Sequence, residues 1–530
     1  MKDVEIYPSS WYYNACVHGF LEVLAWGLGE EGKDIVEEQF LQDDGSVRIP
    51  GELMEAVFST KNVPAPAGYI FREVPDDVKD LKRIAWWWIA CTSKLYLNDH
   101  EQPVEPEITE IVFDKYLAGE GTEKISNHLN KLGYKTLEDK KWGAGDIAQI
   151  VASSYFHQLL SEHQRNSVLM EFVFRQAFSK GKMYQNLTQL TRNKTEFLND
   201  WFTRNVDEGQ FHCSFCNYPC TIEEQSRNSF FSLELSKILG DSISEFPNLF
   251  WNNNQTLLMC KQCRSHFIFF HFVNEKKYFV NSDSLKINWN LNRLLHQKTG
   301  GSYQKGLLKA ISYDSQLRSA VGSWGLQNME VVSFQKGIAN IQPISEHLAK
   351  LLLIPRIASL LNMISNSLVW DIFIQERFNY LLNLAYKQLR FFLSGKENRN
   401  NDPEIIAGAW NSMAQVATIL ELFYAIHQAE QKEKGGKVLV SIDFRQIRKE
   451  ATDSPISITD NAGKGLVFRL LELTRLNKKT EVYHLLLRTY IAKGLVFPAS
   501  LANLFTVNDP EIFQTGIYAY IAGLREKVEN

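Results

Sequence analysis

The sequence predicts a mainly α-helical protein with some β structure. A mixed α/β N-terminal region leads through a cysteine-bearing insert to a C-terminal all-α helical bundle. Three observations give this. Apolar residues recur at helical steps through the second half, and short alternating runs bounded by turn residues appear near the N-terminus. Two Cys-x-x-Cys pairs, Cys213-Ser-Phe-Cys216 and Cys260-Lys-Gln-Cys263, stand at mid-chain. Two knuckles of matched spacing supply four thiolates for one tetrahedral zinc ion, which makes Cys213, Cys216, Cys260 and Cys263 the expected ligands of a structural site. Forty-three residues separate the pairs, longer than a usual zinc ribbon, so the knuckles bracket an insert. His212, Cys220 and His266 are possible substitutes among the ligands.

The chain of 530 residues, 45% hydrophobic and 22% charged, can bury a large core, and its length favours two or more domains. Residues 1–204 are read as the mixed N-terminal domain and 205–275 as the zinc-knuckle segment. Residues 276–335 form a basic loop region completing the N-terminal part, and 336–530 form the helical bundle. The opening Met-Lys-Asp-Val-Glu is not a signal peptide, and stretches such as Ile357 to Trp370 are too short and too polar to span a bilayer. Seven cysteines, with Cys16, Cys91 and Cys220 isolated, suit reduced thiols and a metal better than a disulfide framework. A cytoplasmic protein with no membrane partner is expected.

Along the chain, Ser9 or Ser10 caps an apolar helix from Trp11 that ends at Gly27 or Gly29. A strand is expected at Val47-Arg48-Ile49-Pro50 and another at Gly68 to Val74. From Asp77 to Arg204 the pattern is helical, interrupted at Gly119-Glu120-Gly121, Gly143-Ala144-Gly145 and Gly181. Trp86, Trp87 and Trp88 point three ways from one helix and cannot all face one core, so they suit a seam between domains, a partner chain or a base. Further on, helices are expected at Ser345–Ile364, Leu368–Leu393, Gly465–Leu476, Thr480–Ala492 and Pro510–Lys527. Another starts at Asp402-Pro403-Glu404 and carries a stripe of Ile406, Trp410, Met413, Ala417, Leu420 and Tyr424. Val438-Leu439-Val440 is the one strand signal in this half.

The net charge of −4 conceals an asymmetry: residues 341–530 are +3, the remainder is −7, and Lys432 to Lys493 alone is +6. That stretch suits a phosphate backbone or a solvated helical face equally well. A glycine-rich segment, Gln297 to Gly306, holds no acid and reads as a mobile basic loop. Its Lys298, Gly300, Gly301, Tyr303, Gln304 and Lys305 offer phosphate contacts, close backbone approach, a stacking surface and an amide for base edges. A linker that binds nothing is the plain alternative. No Walker loop, His-Glu-x-x-His, Gly-x-Ser-x-Gly or dinucleotide fingerprint occurs. Asn254 to His266 superficially resembles the second half of a ββα-metal nuclease motif, whose first half is absent, since no histidine lies between Cys216 and Cys260 to activate water.

Trp11-Tyr12-Tyr13-Asn14-Ala15-Cys16-Val17-His18-Gly19-Phe20-Leu21, the paired knuckles and the helical C-terminal region together resemble the large subunit of type I-B CRISPR Cascade. The resemblance covers most of the chain in layout. Its specific parts are the N-terminal segment and the cysteine knuckles. Cys16 departs from the small glycine often found at that position.

The resemblance implies a noncatalytic subunit at the 5′-handle end of a guide RNA complex, which reads the protospacer-adjacent motif and helps open the duplex while base pairing reads the sequence. It implies guide RNA, target double-stranded DNA and the displaced single strand as partners. It also implies the backbone, handle-binding and small Cascade subunits and a helicase-nuclease effector. The helical domain would resemble the small subunits; related genes can produce that domain separately from an internal start, for which Met329, Met363 or a non-Met codon would serve here. Arg445, Arg448, Lys449, Arg469, Arg475, Lys478 and Lys479 form the candidate track for the displaced strand. Trp11 to Asn14 offer an RNA or subunit contact, with core packing the favoured role. A zinc-stapled nuclease and a scaffold without nucleic-acid contact are the rival readings.

Overall fold

In a computed structural model of the protein, the described residues are 3–101, 104–177, 198–199, 201–203, 211–213, 219–220, 260–274, 276, 278–296, 329–335, 338–364, 367–393, 413–435, 442–454 and 456–529. The chain is mainly helical with small sheets. It divides into one unit of Met1–Arg293 with Gln327–Pro343 and another of Leu294–Leu326 with Ile344–Asn530.

The first unit is organised on helix α1 (Trp11–Gly27), buried along almost its whole length. Ser10 is its cap, accepting from the Tyr13 amide at 3.4 Å. Strand β1 (Val4–Ile6) precedes it, and α2 (Gly32–Ile35) runs on into a π turn at Val36–Phe40. The expected strand at Val47 is β2 (Val47–Ile49), paired antiparallel with β1 so that Val4 faces Ile49 and Ile6 faces Val47. The expected strand at Gly68 to Val74 is irregular instead. Arg72 turns its amide to the Gly27 carbonyl (2.8 Å) and its Nε to Trp26 O (2.7 Å), so this segment closes the end of α1 rather than joining a sheet.

After α3 (Gly51–Val57), helix α4 (Arg83–Tyr96) packs against α1 on one side and against a later helix, α9, on the other. That sandwich is why Trp86, Trp87 and Trp88 are all buried within this one unit. Trp87 Nε1 donates to Arg72 O (3.4 Å) and Trp88 Nε1 to Ile268 O (3.3 Å). Helices α5 (Pro106–Leu117), α6 (Thr122–Lys131), α7 (Ala144–Val151), α8 (Ser154–Gln158) and α9 (Glu162–Ala177) follow. Gly143 is the N-cap of α7 and Gly145 lies inside it, so that glycine pair starts a helix rather than only interrupting one.

The unit is completed by β3 (Phe211–His212), β4 (Pro219–Cys220), α10 (Lys261–Phe267), α11 (Phe270–Asn274) and β5 (Tyr278–Asn281). Then come α12 (Leu285–His296), β6 (Met329–Gln335) and β7 (Ile338–Ile344). Strand β6 is central in the order β5-β6-β7 and pairs antiparallel with β5. Asn14 ties α1 to this sheet: its Oδ1 accepts from Ser9 N (2.8 Å) and its Nδ2 donates to Asn281 Oδ1 (2.8 Å). Glu22 sits beside Lys276 and His18. Burial alone would raise its carboxyl, but these two neighbours hold it well below the usual range.

The second unit is a helical bundle. Pro355 divides the expected Ser345–Ile364 helix into α13 (Glu346–Leu352) and α14 (Pro355–Met363), since proline cannot donate within a helix. Next come α15 (Ser367–Ile374), α16 (Asn379–Leu393) and α17 (Met413–Glu433). Met413, Ala417, Leu420 and Tyr424 of the expected stripe are buried. Its Asp402 start and the Val438 strand signal lie outside the described residues. The bundle ends with α18 (Phe444–Thr452), α19 (Asn461–Arg475), α20 (Lys479–Ala492), α21 (Ala499–Leu504) and α22 (Pro510–Glu529).

Helix α22 packs on α16, α17, α18, α19 and α21. It approaches α18 closely at Gly523, where a Cβ would lie 2.6 Å from Arg448 O and 2.8 Å from Ala451 Cβ. Replacing Gly523 with Ala therefore forces apart the backbones of two packed helices. We expect a loss of about 1–3 kcal/mol in chemical denaturation of the bundle, as for overpacked cores.

Candidate metal centre

Cys213, Cys260 and Cys263 are buried, and their Sγ atoms lie within 4.8 Å of one another. Local structure brings them together. Cys260 is the N-cap of α10, its sulfur accepting from the Cys263 amide at 3.3 Å, and its own amide donates to Cys213 Sγ at 3.3 Å. Cys213 follows the β3–β4 hairpin strand in which Phe211 faces Cys220 and His212 faces Pro219. Ser265 fastens α10 to the chain before the knuckles: its Oγ accepts from Thr203 N (3.3 Å) and donates to the carbonyl of Trp201. Amide donors on sulfur favour the thiolate, the form that binds a metal. This donor set can hold a metal ion. Cys216 lies outside the described residues.

One wall of the centre comes from α1. The Tyr13 hydroxyl lies 3.1 Å from Cys263 Sγ and 3.2 Å from His266 Nδ1. Phe20 lies tilted against His266 with ring centroids 4.7 Å apart, and Tyr12 stacks on Phe270 at 4.5 Å. Gly19 lets the helix come this near, since a Cβ there would stand 2.2 Å from Phe269 O. Burial pushes His266 down to about 3, against a smaller opposing influence of Cys213, so its ring is neutral at pH 7. The substitutes suggested by the sequence divide: His212 is exposed, whereas His266 meets the centre through Tyr13. Tyr12, Tyr13 and Asn14 are fully buried and Trp11 is half-buried against Tyr12 and Phe334. Their role is core packing, as favoured from the sequence.

Of the candidate nucleic-acid residues, Lys298, Gly300, Gly301, Tyr303, Gln304 and Lys305 lie outside the described residues. Arg445 and Lys449 are exposed one turn apart on α18, with Arg448 half-buried between them. Arg469 is exposed on α19. Arg475 pairs with Glu472 (3.1 Å) and lies over the Tyr386 ring. Lys478 stands 3.8 Å from Glu481. Lys479 donates to the Val507 carbonyl and is half-buried, which lowers its pKa. Arg475 and Lys479 thus serve contacts of the bundle itself, while Arg445, Lys449 and Arg469 face solvent.

A grouping not anticipated from the sequence is the three-helix unit α5–α6–α7, in which each helix packs on the other two. Helices α5 and α6 both end on a left-handed glycine, Gly119 (φ +89°) and Gly133 (φ +87°). Asn130 then clamps the segment leading into α7, donating to Trp142 O (2.9 Å) and accepting from its amide (2.8 Å). Lys131, Lys135, Lys140 and Lys141 are exposed on that connection. Lys135 and Lys140 make surface pairs with Asp139 and Glu138, of the kind that salt weakens. The glycine signals at positions 119 to 121 and 143 to 145 marked these helix boundaries.

A family model described as Recombinase matches residues 103–206, about a fifth of the chain, from α5 through α9 and beyond. No curated protein and no solved structure matches. For the metal centre, protein prepared without chelators should carry about one metal ion per chain by elemental analysis. The Cys260→Ser variant should carry markedly less and melt at a lower temperature; equal metal content in the two would refute the assignment of Cys260 as a ligand.

Proposed function

We propose that this chain is the noncatalytic large subunit of an RNA-guided DNA surveillance complex similar to type I-B CRISPR Cascade. In this reading it holds a structural zinc ion and works in the cytoplasm. It reads a short duplex motif beside the target, helps open the duplex, contacts guide RNA and neighbouring subunits, and docks a helicase-nuclease. The observation that carries the reading is the union of its two specific sequence features: the aromatic-Asn…Gly-Phe helix and the cysteine segment, some 250 residues apart in the chain, build one core. Zinc is supported by the donor chemistry, since three buried cysteine sulfurs within 4.8 Å of one another, with no carboxylate in the cluster among the described residues, suit that ion and a closed structural role.

Contact with duplex DNA is supported by the three-helix unit and by the Recombinase match over it. A compact three-helix unit can present its last helix to a major groove while lysines on the preceding segment meet phosphates. Helix α7 is solvent-facing at Gly145, Ala148 and Gln149. The exposed Arg445, Lys449 and Arg469 of the bundle remain candidates for the displaced strand. The nuclease reading needs an acid or histidine at an open metal position, and cleavage of DNA by the purified chain with Mg²⁺ or Mn²⁺ would favour it instead.

The test is gel-shift binding of duplexes with randomised flanks to the complex assembled with guide RNA, with and without this chain. Flank-dependent binding without cleavage, present only when the chain is included, is the expected result. Unchanged binding would replace this reading with the scaffold. For the three-helix unit, Gly145→Glu is the informative variant. A Cβ there meets nothing within 4 Å, and an acid in the first turn of a helix is favourable. The fold should be unharmed, while binding of duplex weakens by about tenfold or more through charge repulsion. Lys140→Ala with Lys141→Ala should reduce the slope of log affinity against log salt by about 2.

A further inference from the structure

We propose that Tyr13 is a positioning residue for the metal centre: its hydroxyl donates to the Cys263 thiolate and accepts from His266 Nδ1–H, so that metal loading and the seating of α1 are one event. The inference rests on the metal reading of the cysteines and is independent of the RNA-guided one.

The Tyr13 phenol carries a single proton, and its oxygen lies 3.1 Å from Cys263 Sγ and 3.2 Å from His266 Nδ1. A metal-bound thiolate can only accept, so the phenol proton must point to sulfur. The Tyr13 oxygen then offers its lone pair to His266, whose ring must carry its proton on Nδ1. The structure agrees with that tautomer at the other end of the ring. Among the described residues, buried His266 Nε2 has no hydrogen-bond partner, a cost that falls more lightly on a bare acceptor nitrogen than on an N–H donor.

Outer hydrogen bonds of this kind orient ligands and typically account for 10–100-fold in metal affinity. Tyr13 differs from an ordinary outer ligand in belonging to a helix some 250 residues away in sequence.

The test is competition for zinc between a chromophoric chelator and the full chain, wild type or Tyr13→Phe. Tyr520→Phe serves as the control, since it removes a buried hydroxyl from the second unit. Tyr13→Phe should bind zinc about 10–100-fold more weakly at unchanged stoichiometry, and the cobalt-substituted variant should show a shifted thiolate-to-metal absorption band. Affinity within twofold of wild type would overturn the proposal. Wild type that binds no zinc at all would instead defeat the metal reading beneath it. Should Tyr13→Phe fold poorly, nitrogen NMR of labelled histidine in zinc-loaded wild type decides: a proton on His266 Nδ1 supports the proposal, and one on Nε2 refutes it.

Discussion

The first unit depends on one close approach, that of α1 to the backbone beyond the second cysteine pair. Gly19 removes the side chain that would otherwise strike Phe269 O. Once the helix is that near, Tyr12, Tyr13 and Phe20 reach Phe267, Phe270, His266 and Cys263. The packing is aromatic, and large rings in such contacts contribute both buried area and geometry. Helix α4 then covers another side of α1 through Trp87 and Gly27, where a Cβ would lie 2.1 Å from the indole. The three tryptophans are consumed by this layering.

Several buried amides inside this core are placed with partners. Asn14 satisfies the entry of α1 and the edge of β5 together, and Asn288 and Asn292 do the same for the residues around β5 and α12. Buried amides with full hydrogen bonding fix one arrangement of the elements, because each alternative leaves an unpaired group. Glu22 with Lys276 joins α1 to the turn after α11 by a half-buried ion pair. The cysteine centre belongs to the same class: a polar cluster within an apolar shell, held by elements from widely separated parts of the chain.

Much of this was legible in the sequence. The helix at Trp11, the strand at Val47 and the bundle helices follow from caps, prolines and apolar spacing, signals that act within a few residues. The strand at Gly68 failed because its amide found the end of α1, a tertiary partner that no local pattern reveals. The tryptophan run was misjudged for the same reason: a helix with neighbours on two sides can bury three consecutive indoles. Strand β6 was missed, although Val331, Val332 and Phe334 carried a strand signal. Three of the four cysteines meet as their spacing foretold. The partnership of Tyr13 with His266 was not legible, since it depends on a contact across 253 positions.

The N-terminal helix and the cysteine centre share one core, which should open as a single cooperative unit. Hydrogen exchange of the α1 amides, measured with metal bound and after chelation, tests it most directly. Protection of Tyr13 to Leu24 should fall when the metal is stripped, in step with the amides of α10. Protection of α1 that stays unchanged while α10 opens would contradict it.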